Sequence, residues 1–364
     1  MKIGVDAGAV GIHDKRLKVG VYHLSVQLLL HLGKIDRSNQ YFLYSFHTID
    51  KKLLSTFGDN FQNIVVRPRK GWASIWLPLR ARRDKIDVFL GLNQFVPNFL
   101  SKNTRKIGFI YDLAFLKYPH MFPDSGGQLT RITESVISKS DDIVTISHNS
   151  KKDIMKHYRV EGKNIHVIYP GYKKLKVQKG KKADYFLFIG ALKKGKNIPN
   201  VILAFDIFQK NHSSDIKLII VGGDKWRDDG IKKAMNEVSG GTKRKVIFEG
   251  HVSDRELEKL YSKALAFVSP SFYEGFGLTH VEAMASGIPV IASDKGSLPE
   301  VVGDAGILVD PNSPQQIAKA MLSISKNKKL RDQLSKKGVE KSKNYSWIKF
   351  AKGLHERIQR YEKA

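Results

Sequence analysis

The sequence predicts an α/β fold built as two Rossmann-like domains, and three observations carry that prediction. Short apolar runs alternate with stretches of helical periodicity along most of the chain. The alternation breaks at KKLKVQKGKKAD, residues 173–184, which is charged and lacks an apolar period, and then restarts. Several apolar runs end in Gly or Asp turns, and in parallel sheets such carboxyl ends are where ligands bind. The expected division is residues 1–172 for a first domain, 173–184 for a linker, 185–345 for a second domain and 346–364 for a closing helix, with a ligand cleft between the domains.

Composition narrows the class. A chain of 364 residues with 41% hydrophobic residues can bury two ordinary cores. No apolar run approaches the roughly 18 to 20 residues that span a bilayer. The start, MKIGVDAGAVG, lacks the long apolar core of a signal peptide and reads as a strand and loop. The absence of cysteine excludes disulfides and thiolate metal sites, and a cytoplasmic setting is expected. The net charge of +27, from 62 basic and 35 acidic residues, draws the chain toward polyanions. Anionic lipid headgroups and nucleic acid both fit, as does a merely solvated basic surface.

In the first half, Ile3-Gly4-Val5 reads as a strand ending at Asp6. Val19 to Tyr22 leads into a helix from Tyr22 to about Leu32, with Val26, Leu29 and Leu30 on one face. Tyr41 to Phe46, Asn63 to Val66 and Asp87 to Leu90 read as strands. Lys70 to Arg83 sets Trp72 and Trp76 among Arg69, Lys70, Arg80, Arg82 and Arg83, which suits an anionic interface. The ordinary expectation there is a surface helix, interrupted at Pro78, with both Trp side chains buried. Lys106 to Ile110 is a strand ending at Tyr111-Asp112, and Asp142 to Ile146 is another, followed by a helix that Ser147 or Asn149 caps. Ile165 to Ile168 closes the series.

The second half repeats the rhythm. Tyr185 to Ile189 is a strand ending at Gly190, followed by the helix Ile198 to Gln209. Ile216 to Val221 ends at Gly222-Gly223-Asp224, and Lys245 to Phe248 is the next strand. Ser253 and Glu256 form a capping box for the helix Asp254 to Ser262. After Ile307 to Val309, helices are expected at Pro314 to about Ser325, near Lys329 to Lys343, and from Trp347 to about Tyr361.

Between these elements lies the stretch that organises the chain. Ala264 to Val268 is a buried strand, Glu274-Gly275-Phe276-Gly277 a glycine loop, Gly277 to Ser286 a helix and Ile288 to Ala292 the next strand. Gly275 and Gly277 let a backbone approach a ligand, and the helix start at Gly277-Leu278 suits a diphosphate. Glu274 and Glu282 would repel a phosphate, so they suit the vicinal hydroxyls of a ribose or hexose instead. A structural loop and an ordinary surface glutamate account for the spacing equally well.

Glu274 and Glu282 match the E-x7-E motif of retaining glycosyltransferases of family 4, and PSFYEGFGLTHVEAMASGIPVIASDKGSLPEVVGDAGILVDP resembles that family over about forty positions. The resemblance implies the GT-B architecture, with the first domain on the acceptor side and the second binding a nucleotide sugar. It implies that Glu274 contacts the transferred sugar, Glu282 holds the ribose, and Phe276 belongs to the donor loop. Gly190 to Asn197 resembles the family's G-x5-KN loop, so Lys196, with Lys194 or Lys193 beside it, is expected to neutralise the diphosphate. Gly190 and Gly222 are expected at the donor site, and Gly20 in a loop over the phosphate. Tyr111-Asp112 stands where relatives often have His-Asp, which makes Tyr111 and Asp112 site candidates.

The resemblance further implies a retaining hexosyltransferase, with mannose from GDP-mannose ahead of UDP-hexoses. The acceptor expected is a glycan or lipid-linked glycan, at an anionic membrane surface if the charge serves one. No cofactor beyond the nucleotide sugar and no metal are expected; Asp141-Asp142 is the weak exception. A polyanion-binding protein without transferase activity is the competing class, although the cations are spread over both halves, and no specific nucleic acid is expected.

Overall fold

A computed structural model describes residues 1–12, 14, 20–122, 125–177, 184–223 and 229–362. Val19, Asp224 and residues 178–183 of the expected linker lie outside the described residues. The chain divides into two compact units, Met1–Gly171 with Ser346–Ala364, and Tyr172–Tyr345.

The first unit is built on a parallel sheet. Its strands are β1 (Lys2–Asp6), β2 (Gln40–Ser45), β3 (Phe61–Val65), β4 (Val88–Gly91), β5 (Arg105–Phe109), β6 (Asp142–Thr145) and β7 (Ile165–Val167). Their order is β3-β2-β1-β4-β5-β6-β7, all parallel, so the order in which strands are added reverses between β1 and β4. Both faces are covered, which is why Val88, Phe89 and Leu90 form an unbroken apolar run rather than an alternating one. The helix after β1 spans Gly20–Ile35, longer at both ends than its apolar period suggested. It buries Leu24, Leu28, Leu29 and Leu32, and the closing helix Trp347–Arg360 packs against it. Phe350, Ala351, Leu354 and Ile358 form the buried stripe of that closing helix, and Ser346 caps it. The helix Gly126–Lys139 gave no clear sequence signal, because it buries only Thr133 and Val136.

The Trp pair is a correction. Trp72 is buried, its ring 4.3 Å from Phe46, but Trp76 is 39% exposed. Trp72–Trp76 form a π-helical turn that runs into the α-helix Leu77–Arg83. The wider turn changes the period, so Leu77, Pro78 and Ala81 take the inward positions and Trp76 does not.

The second unit repeats the plan with β8 (Tyr185–Ile189), β9 (Lys217–Val221), β10 (Val246–Gly250), β11 (Ala266–Ser269), β12 (Val290–Ser293) and β13 (Gly306–Val309). The order β10-β9-β8-β11-β12-β13 is all parallel and reverses between β8 and β11. Phe186 and Phe188 of β8 pack on Val201, Phe205 and Phe208 of the helix Ile198–Asn211. This core fixes the carboxyl ends of β8 and β11 side by side, and the loops that leave them carry the candidate residues.

Candidate active site

Three loops of the second unit meet at the point where its strand order reverses. The loop after β8 passes through a 3-10 turn, Lys194–Lys196, to Asn197, which takes the left-handed conformation at φ 60°. The Asn197 side chain is buried and donates to the Pro270 carbonyl at 2.9 Å and the Pro311 carbonyl at 2.6 Å. Asn tolerates this backbone better than other side chains, and its amide satisfies two carbonyls at once. The loop after β11 is joined to it again where the Phe272 N–H donates to the Gly195 carbonyl at 3.0 Å. The loop after β12 supplies Ser297, whose N–H and hydroxyl both donate to the Glu274 carbonyl, at 3.2 and 2.9 Å.

Glu274 is thereby fixed through its backbone, and its side chain is fixed as well. Oε1 lies 2.5 Å from Lys196 Nζ and accepts from Ser271 Oγ at 2.7 Å. Burial is the strongest influence on this carboxyl and pushes its pKa up. The charge of Lys196, the neighbouring His280 and the bonds from Lys196 and Ser271 outweigh it, and the net position is below the usual carboxylate value. Glu274 is therefore an anion at neutral pH. Lys196 is accordingly a partner of Glu274 in this structure, a pairing that neither motif suggested alone.

Gly277, with φ 96°, opens the helix Leu278–Ala285. A Cβ there would stand 2.7 Å from Leu298 Cδ2, so the position requires glycine on space and on backbone. Gly275 is buried, Phe276 is buried edge-on against Tyr345, and Leu278 is half-buried at the helix start. Glu282 is half-buried on the same helix. Burial pushes its pKa up to about 7, against opposing pulls from Lys173 and the Tyr261 hydroxyl, which lies 3.5 Å from Oε2. Among the described residues no ion pair holds Glu282, so beyond the bonds from Lys173 and Tyr261 its carboxyl can accept more.

His280 is a residue that sequence reading passed over. It is fully buried, with Nε2 2.8 Å from the Ser269 carbonyl at the end of β11. A carbonyl can only accept, so Nε2 carries the proton. Burial holds the imidazole below its ordinary pKa, and it is neutral at pH 7. A histidine at the third position of a helix gave no signal beyond its type.

Gly190 continues the sheet, its N–H donating to the Val221 carbonyl, and Gly222 donates to the Gly250 carbonyl. A Cβ on Gly222 would sit 2.1 Å from the Gly190 carbonyl oxygen, so these two glycines allow the loops after β8 and β9 to touch. Lys193 and Lys194 are exposed.

The first unit places its own group where its strand order reverses. Asp6 ends β1, is buried, and accepts from Gly8 N–H at 3.1 Å and Asn93 Nδ2 at 2.8 Å. Burial pushes it up to about 6 against those bonds. Its place at a strand end was legible, but the Asn93 partner was not. Tyr111 is buried, its pKa raised by burial and then by the charge of Asp6, and its hydroxyl donates to the Leu92 carbonyl at 2.6 Å. The phenol proton of this site candidate is therefore already committed inside the unit. Asp112 accepts from Ala114 N–H at 2.9 Å, and Gly20 is the exposed first residue of its helix. Asp141 is held by Lys106 N–H and by the side chains of Arg105 and Lys106. Asp142 is held by His166 and Tyr361.

A family model described as glycosyl transferases group 1 matches residues 172–341. The chain is 30% identical over 294 residues to O-antigen chain mannosyltransferase B of Escherichia coli, covering 77% of this chain and 74% of that one. It is 36% identical over 210 residues to O-antigen chain mannosyltransferase RfbU of Salmonella typhimurium, covering 57% of this chain and 58% of that one. Among solved structures, sucrose-phosphate synthase from Thermosynechococcus elongatus superposes with a TM-score of 0.75 at 18% identity, over 99% of this chain and 98% of that one.

Proposed function

Since this chain belongs to the glycosyl transferases of group 1 and has their GT-B fold, we propose that it moves mannose from GDP-mannose to a glycan or lipid-linked glycan, with retention at the anomeric carbon. The observation that carries this reading is the Lys196–Glu274 pair at 2.5 Å, built where the strand order reverses. A fixed cation there suits a diphosphate leaving group, and a fixed carboxylate beside it suits sugar hydroxyls. The two O-antigen mannosyltransferases favour mannose as the sugar. UDP-hexose is the alternative donor.

In this reading Glu282 accepts hydrogen bonds from the ribose hydroxyls. Lys196 and the N–H groups at Gly277-Leu278 hold the diphosphate, and Glu274 holds the mannose. As the bond from the anomeric carbon to the phosphate oxygen breaks, Lys196 stabilises the charge that grows on the diphosphate. The acceptor hydroxyl attacks the same face, forms the new glycosidic bond, and passes its proton to the departing phosphate oxygen. The nucleoside diphosphate leaves. No step uses a metal ion.

Turnover of GDP-mannose and UDP-glucose is compared with EDTA present, reading released nucleotide and the one-bond carbon–proton coupling at the anomeric centre of the product. GDP release with an α-mannoside product is expected. Turnover of the UDP sugar alone, or a β-linked product, overturns this reading.

A further inference from the structure

The segment that departed from its sequence expectation leaves a face that the donor site does not use. Ile75, Trp76 and Leu79 are 50%, 39% and 53% exposed. They are held open rather than loosely displayed. The Trp76 indole N–H donates to the Lys70 carbonyl at 3.1 Å, while Leu77, Pro78 and Ala81 anchor the opposite side of the helix. Trp76, Leu79, Arg80 and Arg83 follow the spacing i, i+3, i+4, i+7 and so form one stripe. The stripe borders a groove of about 270 Å³ that Val66 and Arg67 also line. Arg82 reaches the Leu100 carbonyl at 3.4 Å, and the neighbouring Phe99 is 71% exposed.

The charge of this segment is mostly positive. Arg67, Arg69, Lys70, Arg82 and Arg83 are exposed. The sole carboxylate in residues 60–84 is Asp84, and Arg80 holds it at 2.9 Å.

We propose that this face docks on an anionic lipid bilayer. Ile75, Trp76 and Leu79 enter the boundary between headgroups and acyl chains, and Arg67, Arg83 and their neighbours meet lipid phosphates. Complementarity selects the occupant. A nucleic acid would answer the cations but leave Ile75 and Leu79 in water. A neutral bilayer would cover the apolar side chains but leave the arginines without counter-charge. An anionic bilayer answers both. The proposal stands apart from the donor reading, because none of these residues belongs to the loops after β8 and β11.

The test is co-flotation of the full chain with vesicles of phosphatidylcholine alone and with phosphatidylglycerol added at about one third. Binding to the anionic vesicles is expected, weakened by salt. Arg67→Gln with Arg83→Gln should lower it about 30-fold, at roughly one kcal/mol per cation. Ile75→Ser with Leu79→Ser should lower it at least about tenfold. All four positions are on the surface, and unchanged thermal unfolding with an unchanged far-ultraviolet circular dichroism spectrum confirms folded variants. Equal binding to both vesicle types, no binding to either, or variants that bind as the unaltered chain does would overturn the proposal. So would an acidic protein or RNA that binds the chain while anionic vesicles do not.

Discussion

Lys196 Nζ lies 2.5 Å from Glu274 Oε1, and this contact ties together two loops whose residues are 78 positions apart. A lysine has three N–H donors, so the one spent on Glu274 leaves two for a phosphate. On the proposed reading, the pair orders the site before a donor arrives. It also lowers the pKa of a carboxylate that burial pushes up.

Removal of that cation should be felt twice. Lys196→Ala is expected to lower kcat by about 100- to 1000-fold, as loss of a fixed transition-state charge does. It should also raise the pKa of Glu274, so that residual activity shifts to higher pH. Steady-state rates across pH 5 to 9, a range of roughly four units, check both. Unchanged rates in Lys196→Ala would remove the lysine from the mechanism.

Glu282 makes pH dependence specific. Its folded pKa of about 7 stands above the ordinary 4.5. The folded chain then holds a proton that the unfolded chain releases. Stability from this group is full below the ordinary value and is lost as pH rises through the folded value. Asp6, raised to about 6 from 3.8, acts in the same direction in the first unit. Glu282→Gln should flatten part of the decline, read as urea midpoints between the two pKa values. Nucleotide affinity should move the opposite way, because the ionised carboxylate is the better acceptor for ribose hydroxyls. The dissociation constant of the unaltered chain should tighten as pH rises through about 7, and that of Glu282→Gln should not.

Gly222→Ala tests close approach. Its new methyl would meet the Gly190 carbonyl oxygen at 2.1 Å, and neither group is the free end of a flexible side chain. A loss of about 1 to 3 kcal/mol is expected, with weaker nucleotide binding because the loop that carries Lys196 must shift. Gly223→Ala is the control, since a Cβ there meets nothing within 4 Å.

His280→Ala removes the bond to the Ser269 carbonyl and the ring that stands edge-on to Phe267, 5.3 Å away. About 2 to 4 kcal/mol of stability should go with it. Urea unfolding measures the loss, and a variant as stable as the unaltered chain would show that the buried imidazole is not structural.

What the sequence made legible was local. The strand, glycine loop, helix and strand around Glu274 could be read because the apolar runs and Gly277 act within a few residues. Ser253 with Glu256 was legible for the same reason and forms the capping box. Lys196 and Glu274 were each visible in a motif, but their pairing depends on which strands become neighbours, and that is decided by the whole sheet. Asn93 reaching Asp6 across 87 positions was hidden likewise. Trp76 misled because hydrophobicity marks what is able to be buried, while a π-helical turn decided what was.

The most direct test of the donor site is calorimetric titration of GDP and UDP into the unaltered chain and into Glu282→Ala. We expect GDP to bind, and Glu282→Ala to weaken it by at least about tenfold, the loss of a charge-assisted hydrogen-bonded contact. No binding of either nucleotide to the unaltered chain, or equal binding to both proteins, would contradict a nucleotide-sugar site at Lys196, Glu274 and Glu282.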